Sequence, residues 1–265
     1  MKLEGNLSKL LITCDKEGAA QYSLKLGDKE ETLNDKLGQK ITLTFQGAIN
    51  CVTCQAPLKK TYNNGSCYKC FITLAQNDHC IFKPETCHFH LGTCRQTVWG
   101  EKNCFREHCL YLSNSSQLKV GITKYYKRIN RWLDQGASQG IVLATVKNRI
   151  QSGLLEVFLK DFLQDKTNWR KMLQGKPELL DLKEIAKEYK NKICQEFNFA
   201  KISEDEPVSL SYPVEKYPEK VSSYSFDKQP KIEDCLMGIK GQYLILEKGV
   251  INLKKFSGYF VSIEI

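Results

Sequence analysis

Residues 110–123 read Leu110-Tyr111-Leu112-Ser113-Asn114-Ser115-Ser116-Gln117-Leu118-Lys119-Val120-Gly121-Ile122-Thr123. Leu110 to Ser113 makes a short strand, Asn114-Ser115-Ser116 a polar turn, and Leu118 to Thr123 a second strand. The next stretch, Tyr125-Tyr126-Lys127-Arg128-Ile129-Asn130-Arg131-Trp132, reads as a basic helix, and Ile141 to Thr145 as a third strand. From Arg149 to Phe162, the residues Ile150, Leu154, Phe158 and Phe162 recur every four positions as an apolar helical stripe. At about 100° per residue, Glu156 falls near the edge of that stripe, where a carboxylate could point into a cleft. An α+β core with a small three-stranded sheet and flanking helices is therefore expected over 110–175.

Outward from this core, both ends read as β-rich. Tyr22 to Leu26 and Ile41 to Phe45 alternate apolar and polar residues, the period of a half-buried strand, and Gln242 to Leu246, Gly249 and Val250-Ile251 suggest a hairpin. Gly38-Gln39 leading to Gly47-Ala48-Ile49-Asn50 resembles Gly241-Gln242 leading to Gly249-Val250-Ile251-Asn252. That pattern fits a duplicated unit, two parts of one β-module joined by the fold, or coincidence between Gly-flanked hairpins. Asp181 to Phe197 is helical, with Ile185, Tyr189 and Ile193 on one face. Four prolines between 204 and 234 favour an extended connection.

Nine of the twelve cysteines lie between Cys51 and Cys109, and all four histidines between His79 and His108. No secretion signal accompanies them: Glu4 and Lys9 interrupt the apolar run before Cys14, so a lipoprotein-type leader is not expected. In a reducing compartment, clustered thiols and imidazoles are metal ligands before they are disulfides. Cys51-Val52-Thr53-Cys54, twelve residues, then Cys67-Tyr68-Lys69-Cys70 has the spacing of a zinc ribbon, with Asn63-Asn64-Gly65 turning the hairpin between the knuckles. Four thiolates leave no open position, so this Zn²⁺ would be structural. A second zinc is expected from Cys80, Cys87, Cys94, Cys104 and His108, with the set of four left open; His88 and Arg95 could as well pack against the module. The expected organisation is a β-rich module at 1–50, a Cys/His-rich zinc module at 51–109 and the α+β core at 110–175. A helical segment at 176–203 and an extended connection with a β-hairpin module at 204–265 complete it.

The chain is long enough for one large domain or two to three small ones. Its 42% hydrophobic share, 10% of residues being aromatic, excludes wholesale disorder, and no apolar run is long enough for a membrane span. A cytoplasmic protein that meets no membrane is expected. The net charge of +9 is concentrated in the middle: residues 111–175 hold eleven basic groups against four acidic ones. Such a field attracts phosphate backbones, so DNA or RNA is the expected partner. Lys119, Lys127, Arg128, Arg131, Asn168 and Arg170 are the candidate contacts. Phosphate-cradle, nucleophile-elbow and dinucleotide motifs are missing, which leaves NTPase, hydrolase and dehydrogenase readings without support.

Residues 108–170 resemble the GIY-YIG endonuclease superfamily. The resemblance rests on Tyr111, Lys119-Val120-Gly121-Ile122-Thr123, an arginine in the following helix and Glu156 on a later one. It implies a tyrosine beside the attacking water, an arginine on the phosphate and a glutamate holding one Mg²⁺ or Mn²⁺. Tyr111 matches the first, Arg128 or Arg131 the second, Glu156 the third, and Asn168 more weakly a later position. Where the family places its second tyrosine, this chain has Leu118 and Lys119. Leucine transfers no proton, and lysine does so only with a strongly depressed pKa. Two functions follow from the resemblance: an endonuclease with an atypical site, or an inactive scaffold that binds RNA, DNA or a ribonucleoprotein. Without it, Glu156 would be an ordinary helix residue paired with Lys160. The order of the cysteine knuckles, Cys87-His88-Phe89-His90, Trp99-Gly100-Glu101, Trp132-Leu133-Asp134-Gln135-Gly136 and Lys166-Thr167-Asn168-Trp169 is also similar to a full-length bacterial family of unknown function.

Overall fold

The computed structural model describes residues 2–265. In chain order the first strands are β1 (Lys2–Asn6), β2 (Leu11–Cys14), β3 (Ala20–Leu26), β4 (Lys29–Thr32), β5 (Lys40–Asn50) and β6 (Pro57–Leu58). Then come α1 (Tyr68–Thr73), α2 (Thr97–Asn103), β7 (His108–Asn114), β8 (Leu118–Lys124), α3 (Arg128–Asp134), β9 (Gln139–Val146) and α4 (Arg149–Leu159). They are followed by α5 (Trp169–Leu173), α6 (Leu182–Glu196), β10 (Lys201–Ile202) and β11 (Val208–Ser209). The last strands are β12 (Lys231–Lys240), β13 (Tyr243–Leu246), β14 (Val250–Asn252) and β15 (Tyr259–Glu264). The protein is α+β, with several antiparallel sheets and few helices. No helix among the described residues is long and apolar enough to cross a membrane.

The chain gathers into two compact units, each built from separated segments. One holds the residues up to Phe71, Trp169–Gly175 and Leu210–Ile265, and the other Ile72–Asn168 and Lys176–Ser209. In the first unit, β5 is the spine of a sheet ordered β1-β15-β5-β12-β13-β14. Its apolar positions Ile41 and Leu43 are buried, and both of its edges are paired by strands from the far end of the chain, β12 and β15. Strands β1 and β5 of the expected module at 1–50 and β12 to β15 of the one at 204–265 thus share one sheet, whereas β2, β3 and β4 form a separate three-stranded sheet and β11 belongs to the second unit. Nor are 38–50 and 241–252 copies: β13 and β14 form the expected hairpin, whereas 40–50 is one continuous strand. Gly47, at φ +83°, lies where the β5–β15 register slips, so it makes a bulge and not a turn. The expected zinc module at 51–109 also divides, because Cys51 to Cys70 belong to the first unit and Cys80 to Cys109 to the second.

The second unit is built on a sheet ordered β10-β9-β7-β8, with β11 also pairing β9. Two short strands therefore extend the three that the sequence indicated. All seven residues of central β7 are buried, since both faces of the sheet are covered. One face carries Leu110, Leu112, Val120, Ile141 and Leu143, packed against Leu155 and Leu159 of α4 and Ala186 and Ile193 of α6. The four-spaced stripe expected for α4 is rotated: Leu154 and Phe162 are exposed, and Ser152, Gly153, Leu155 and Leu159 face inward. Small residues decide this. A Cβ at Gly153 would stand 2.5 Å from the Glu85 backbone nitrogen, so the helix approaches that loop through Gly153.

The opposite face of the β7 sheet is shaped by two rings. Tyr111 of β7 lies across Gly121 of β8, and Trp132 of α3 lies over Gly140 of β9. A Cβ at Gly121 would approach the Tyr111 hydroxyl oxygen to 2.6 Å, and one at Gly140 would reach the indole at 2.5 Å. The rings meet edge to face with centroids 5.8 Å apart. Gly140→Ala is expected to destabilise the second unit by about 1–3 kcal/mol through overpacking. Gly175→Ala, where no atom lies within 4 Å of the added carbon, is the control. Denaturant unfolding followed by tryptophan fluorescence checks both; equal stability of the two variants would contradict the packing.

Candidate metal centres and a buried polar cluster

Cys51 begins where β5 ends, and the 3₁₀ turn at Asn63–Gly65 brings the second cysteine pair back to it. Gly65, at φ +89°, fits only as glycine, because a Cβ there would strike Val52 Cγ1 at 2.6 Å and the Ser257 carbonyl oxygen at 2.7 Å. The four sulfurs of Cys51, Cys54, Cys67 and Cys70 lie within 4.8 Å of one another. The Cys67 amide donates to Cys51 Sγ at 3.2 Å, and the Cys70 amide to Cys67 Sγ at 3.3 Å. Burial opposes ionisation of Cys51, but the amides of Cys54, Thr53 and Cys67 prevail and draw its thiol down to about 6. Four converging soft donors, one already favoured as thiolate, are compatible with a structural zinc.

Cys80, Cys87, Cys94 and Cys104 line one small enclosed cavity in the second unit, together with Asp78 and His88. The ligand atoms of Asp78, Cys80 and His88 lie within 4.8 Å of one another. Asp78 also accepts from Arg95 Nε at 2.9 Å, so Arg95 braces the group. His108, named with these cysteines from the sequence, does not line the cavity. It sits on β7 with Nδ1 2.7 Å from the Arg106 carbonyl oxygen, and its buried Nε2 has no hydrogen-bond partner among the described residues. Burial pushes its pKa down to about 4. His88 is the imidazole beside the cysteines, although the sequence left it among packing residues.

The basic face of the second unit carries a different chemistry. Tyr111 is fully buried and donates to Gln135 Oε1 at 3.1 Å. Burial pushes its phenol up, against the pull of the Arg131 guanidinium beside it. Arg131 is exposed along its side chain, yet its charged end is held near Tyr111, Asp134 and Glu156. Glu156, with a side chain 14% exposed, pairs with Lys160 at 3.6 Å, and Lys160 also reaches Asp165 at 3.2 Å. Burial raises the Glu156 carboxyl against the pull of Lys160. Lys119 lies within electrostatic reach of Arg131, Asp165 and Glu156 and is 2% exposed. Tyr111, Arg131, Glu156 and Lys119 are therefore brought together.

The remaining candidates lie apart from this cluster. Arg128 stacks on Tyr125 at 4.1 Å and pairs with Asp205 at 3.7 Å, which resolves the choice of helix arginine near Tyr111 in favour of Arg131. Lys127 and Asn168 are exposed on the second unit. Arg170 belongs to the first unit, stacked on Trp169 at 4.4 Å. The sequence did not point to Asp165 or to Gln135 as a partner of Tyr111. Both stand in loops outside any periodic pattern, so no signal was available to find them.

A family model described as a protein of unknown function (DUF2797) matches residues 38–261. No curated protein and no solved structure matches the chain.

A thiol lowered to about 6 is a thiolate above that pH and protonated below it. Because a bound metal ion draws its thiolates to still lower pKa, metal held by Cys51, Cys54, Cys67 and Cys70 is expected to stay bound near pH 8 and to leave on acidification, as protons displace it from the sulfurs. Cys67→Ser is expected to lower the zinc content by one ion per chain, measured by elemental analysis after dialysis. Undiminished zinc in that variant would contradict the assignment.

Proposed function

We propose that this chain, which belongs to the DUF2797 family, acts on nucleic acid through its second unit and cleaves phosphodiester bonds there. The observation that carries the reading is the gathering of Tyr111, Arg131 and Glu156 on one sheet and its two neighbouring helices. These are the residues that the resemblance to GIY-YIG endonucleases singles out. Phosphodiester cleavage needs a placed water and cations on the phosphoryl oxygens. Tyr111, held protonated by burial, positions the water; Arg131 binds the phosphate. Glu156 and Asp165 offer the hard oxygen donors that suit Mg²⁺ or Mn²⁺, and such a cation would compete with Lys160, which now bridges them. That metal supplies Lewis-acid polarisation of the phosphate when bound. Exposed Lys127 and Asn168, with Arg128, lie apart from the cluster on the same unit and would serve as outer contacts for DNA or RNA.

Zinc completes the reading as a structural element. One ion is assigned to the four-cysteine ribbon of the first unit, and a second to Cys80, Cys87, Cys94 and Cys104, with His88 in place of His108 as the imidazole at hand. The four-cysteine set leaves no open position, which suits folding and not hydrolysis; at the second place the donor atoms of Asp78, Cys80 and His88 converge within 4.8 Å, with the other three cysteines lining the same cavity.

The test is cleavage of a mixed pool of DNA and RNA structures with Mg²⁺ or Mn²⁺. Wild-type chain is expected to cleave, and Glu156→Gln to lose cleavage while keeping its circular dichroism spectrum. Cleavage that survives Glu156→Gln contradicts the assignment. A second reading, a scaffold that binds without cleaving, is favoured by Leu118 and Lys119 standing where the resemblance implies a tyrosine. Under either reading, reversing Arg128 and Arg131 together is expected to weaken binding and flatten its salt dependence, by roughly 0.9 in log–log slope for each duplex phosphate that the protein no longer neutralises. Unchanged affinity at low salt would place the binding surface elsewhere.

A further inference from the structure

The sheet register sets three polar groups in a row across three strands. Lys119 of β8 faces Ser113 of β7, and Ser113 faces Gly140 of β9, over which the Trp132 indole lies. Ser113 and Tyr111 are two residues apart on β7 and so project from the same face. Ser113 Oγ and Trp132 Nε1 are buried with no hydrogen-bond partner among the described residues. Lys119, in a protein whose lysines are mostly on the surface, is 2% exposed, and its amine forms no ion pair or hydrogen bond among the described residues. Buried polar groups left unmatched by protein are costly, and their clustering calls for a small polar guest: a water, or an oxygen of substrate. Tyr111 projects from the same face, and Arg131 and Glu156 lie within electrostatic reach of Lys119; these are the groups that would meet a phosphodiester.

We propose that this row handles the attacking water, and that the Lys119 amine is the base that removes its proton. The proposal rests on the cleavage reading above and gives it the missing proton acceptor. Tyr111 cannot serve, because burial holds its phenol in the protonated form. Burial, and after it the charge of Arg131, draws Lys119 down to about 7, so a neutral amine is available where an ordinary lysine would be ammonium. In the step, the water oxygen bonds to phosphorus and its proton passes to the amine, which becomes ammonium. The bond from phosphorus to the leaving oxygen breaks, that oxygen takes a proton from solvent, and the ammonium later releases its own. Arg131, Asp165 and Glu156 are the charged groups within electrostatic reach of the amine. The two carboxylates raise its proton affinity and Arg131 lowers it, so the base is set by their balance.

Two measurements test this on the full chain. The first is the titration of ¹³Cε-labelled lysine by NMR, with Lys119→Arg assigning the signal. A midpoint near 7 is expected. A midpoint of 10 or above, about that of a free lysine, overturns the proposal whatever the activity. The second is single-turnover cleavage against pH for wild type, Lys119→Arg and Lys119→Met. Wild-type rate should rise through about pH 7, and both variants should lose that limb together with roughly 10²–10⁴-fold in rate. If both variants keep the wild-type rate and limb while Glu156→Gln is inactive, Lys119 is not the base and the cleavage reading stands. If wild type cleaves nothing in the pool, the cleavage reading falls and takes the role of Lys119 with it.

Discussion

The second unit depends on two rings laid across two glycines. Tyr111 and Trp132 fill the space that Gly121 and Gly140 leave open on the strands flanking β7, and no Cβ fits at either place. From that packing the rest of the site follows. Trp132 fixes α3 against the sheet, which brings Arg131, its neighbour in the helix, to the Tyr111 hydroxyl. The same turn of chain carries Gln135 to that hydroxyl as its acceptor. On the other face, Gly153 lets α4 approach the loop at Pro84–Glu85, and the rotation this imposes turns Glu156 inward, to 14% exposure. Small residues thus position the large polar ones.

The two cysteine sets answer a different need. The segment from 72 to 107 holds one short α-helix and several 3₁₀ turns, and it leaves Ile72, Phe82, Leu91, Val98 and Phe105 exposed. A metal ion held by its cysteines would order such a stretch more readily than a core of that size. In the first unit the ribbon is anchored to the end of β5, where Gly258 meets the Asn50 carbonyl oxygen too closely for any side chain.

Local chemistry was legible in the sequence, and long-range pairing was not. The four-cysteine spacing declared its turn and the four sulfurs that converge there, because the motif is contained in twenty residues. The β7 hairpin, its helices and β9 were readable from alternation and period. The division into two units was hidden, since β5 finds its partners β12 and β15 about 190 residues or more along the chain, a pairing no local pattern encodes. Gly47 read as a turn because a bulge and a turn use the same residue for the same positive φ. The face of α4 was misplaced because Leu154 and Phe162 outweighed Ser152 and Gly153 in hydrophobicity, whereas close approach favoured the small pair. Lys119 read as a surface cation, and only the register that sets it opposite Ser113 shows it to be interior.

The central claim is that the Tyr111–Arg131–Glu156 cluster is a metal-assisted phosphodiester site. The most direct measurement is the anomalous scattering of Mn²⁺ in crystals of the chain grown with a short nucleic-acid duplex. The account predicts one manganese bound to the Glu156 carboxylate with a phosphate oxygen beside it. Manganese only elsewhere, or a duplex bound far from Tyr111 and Arg131, would contradict it.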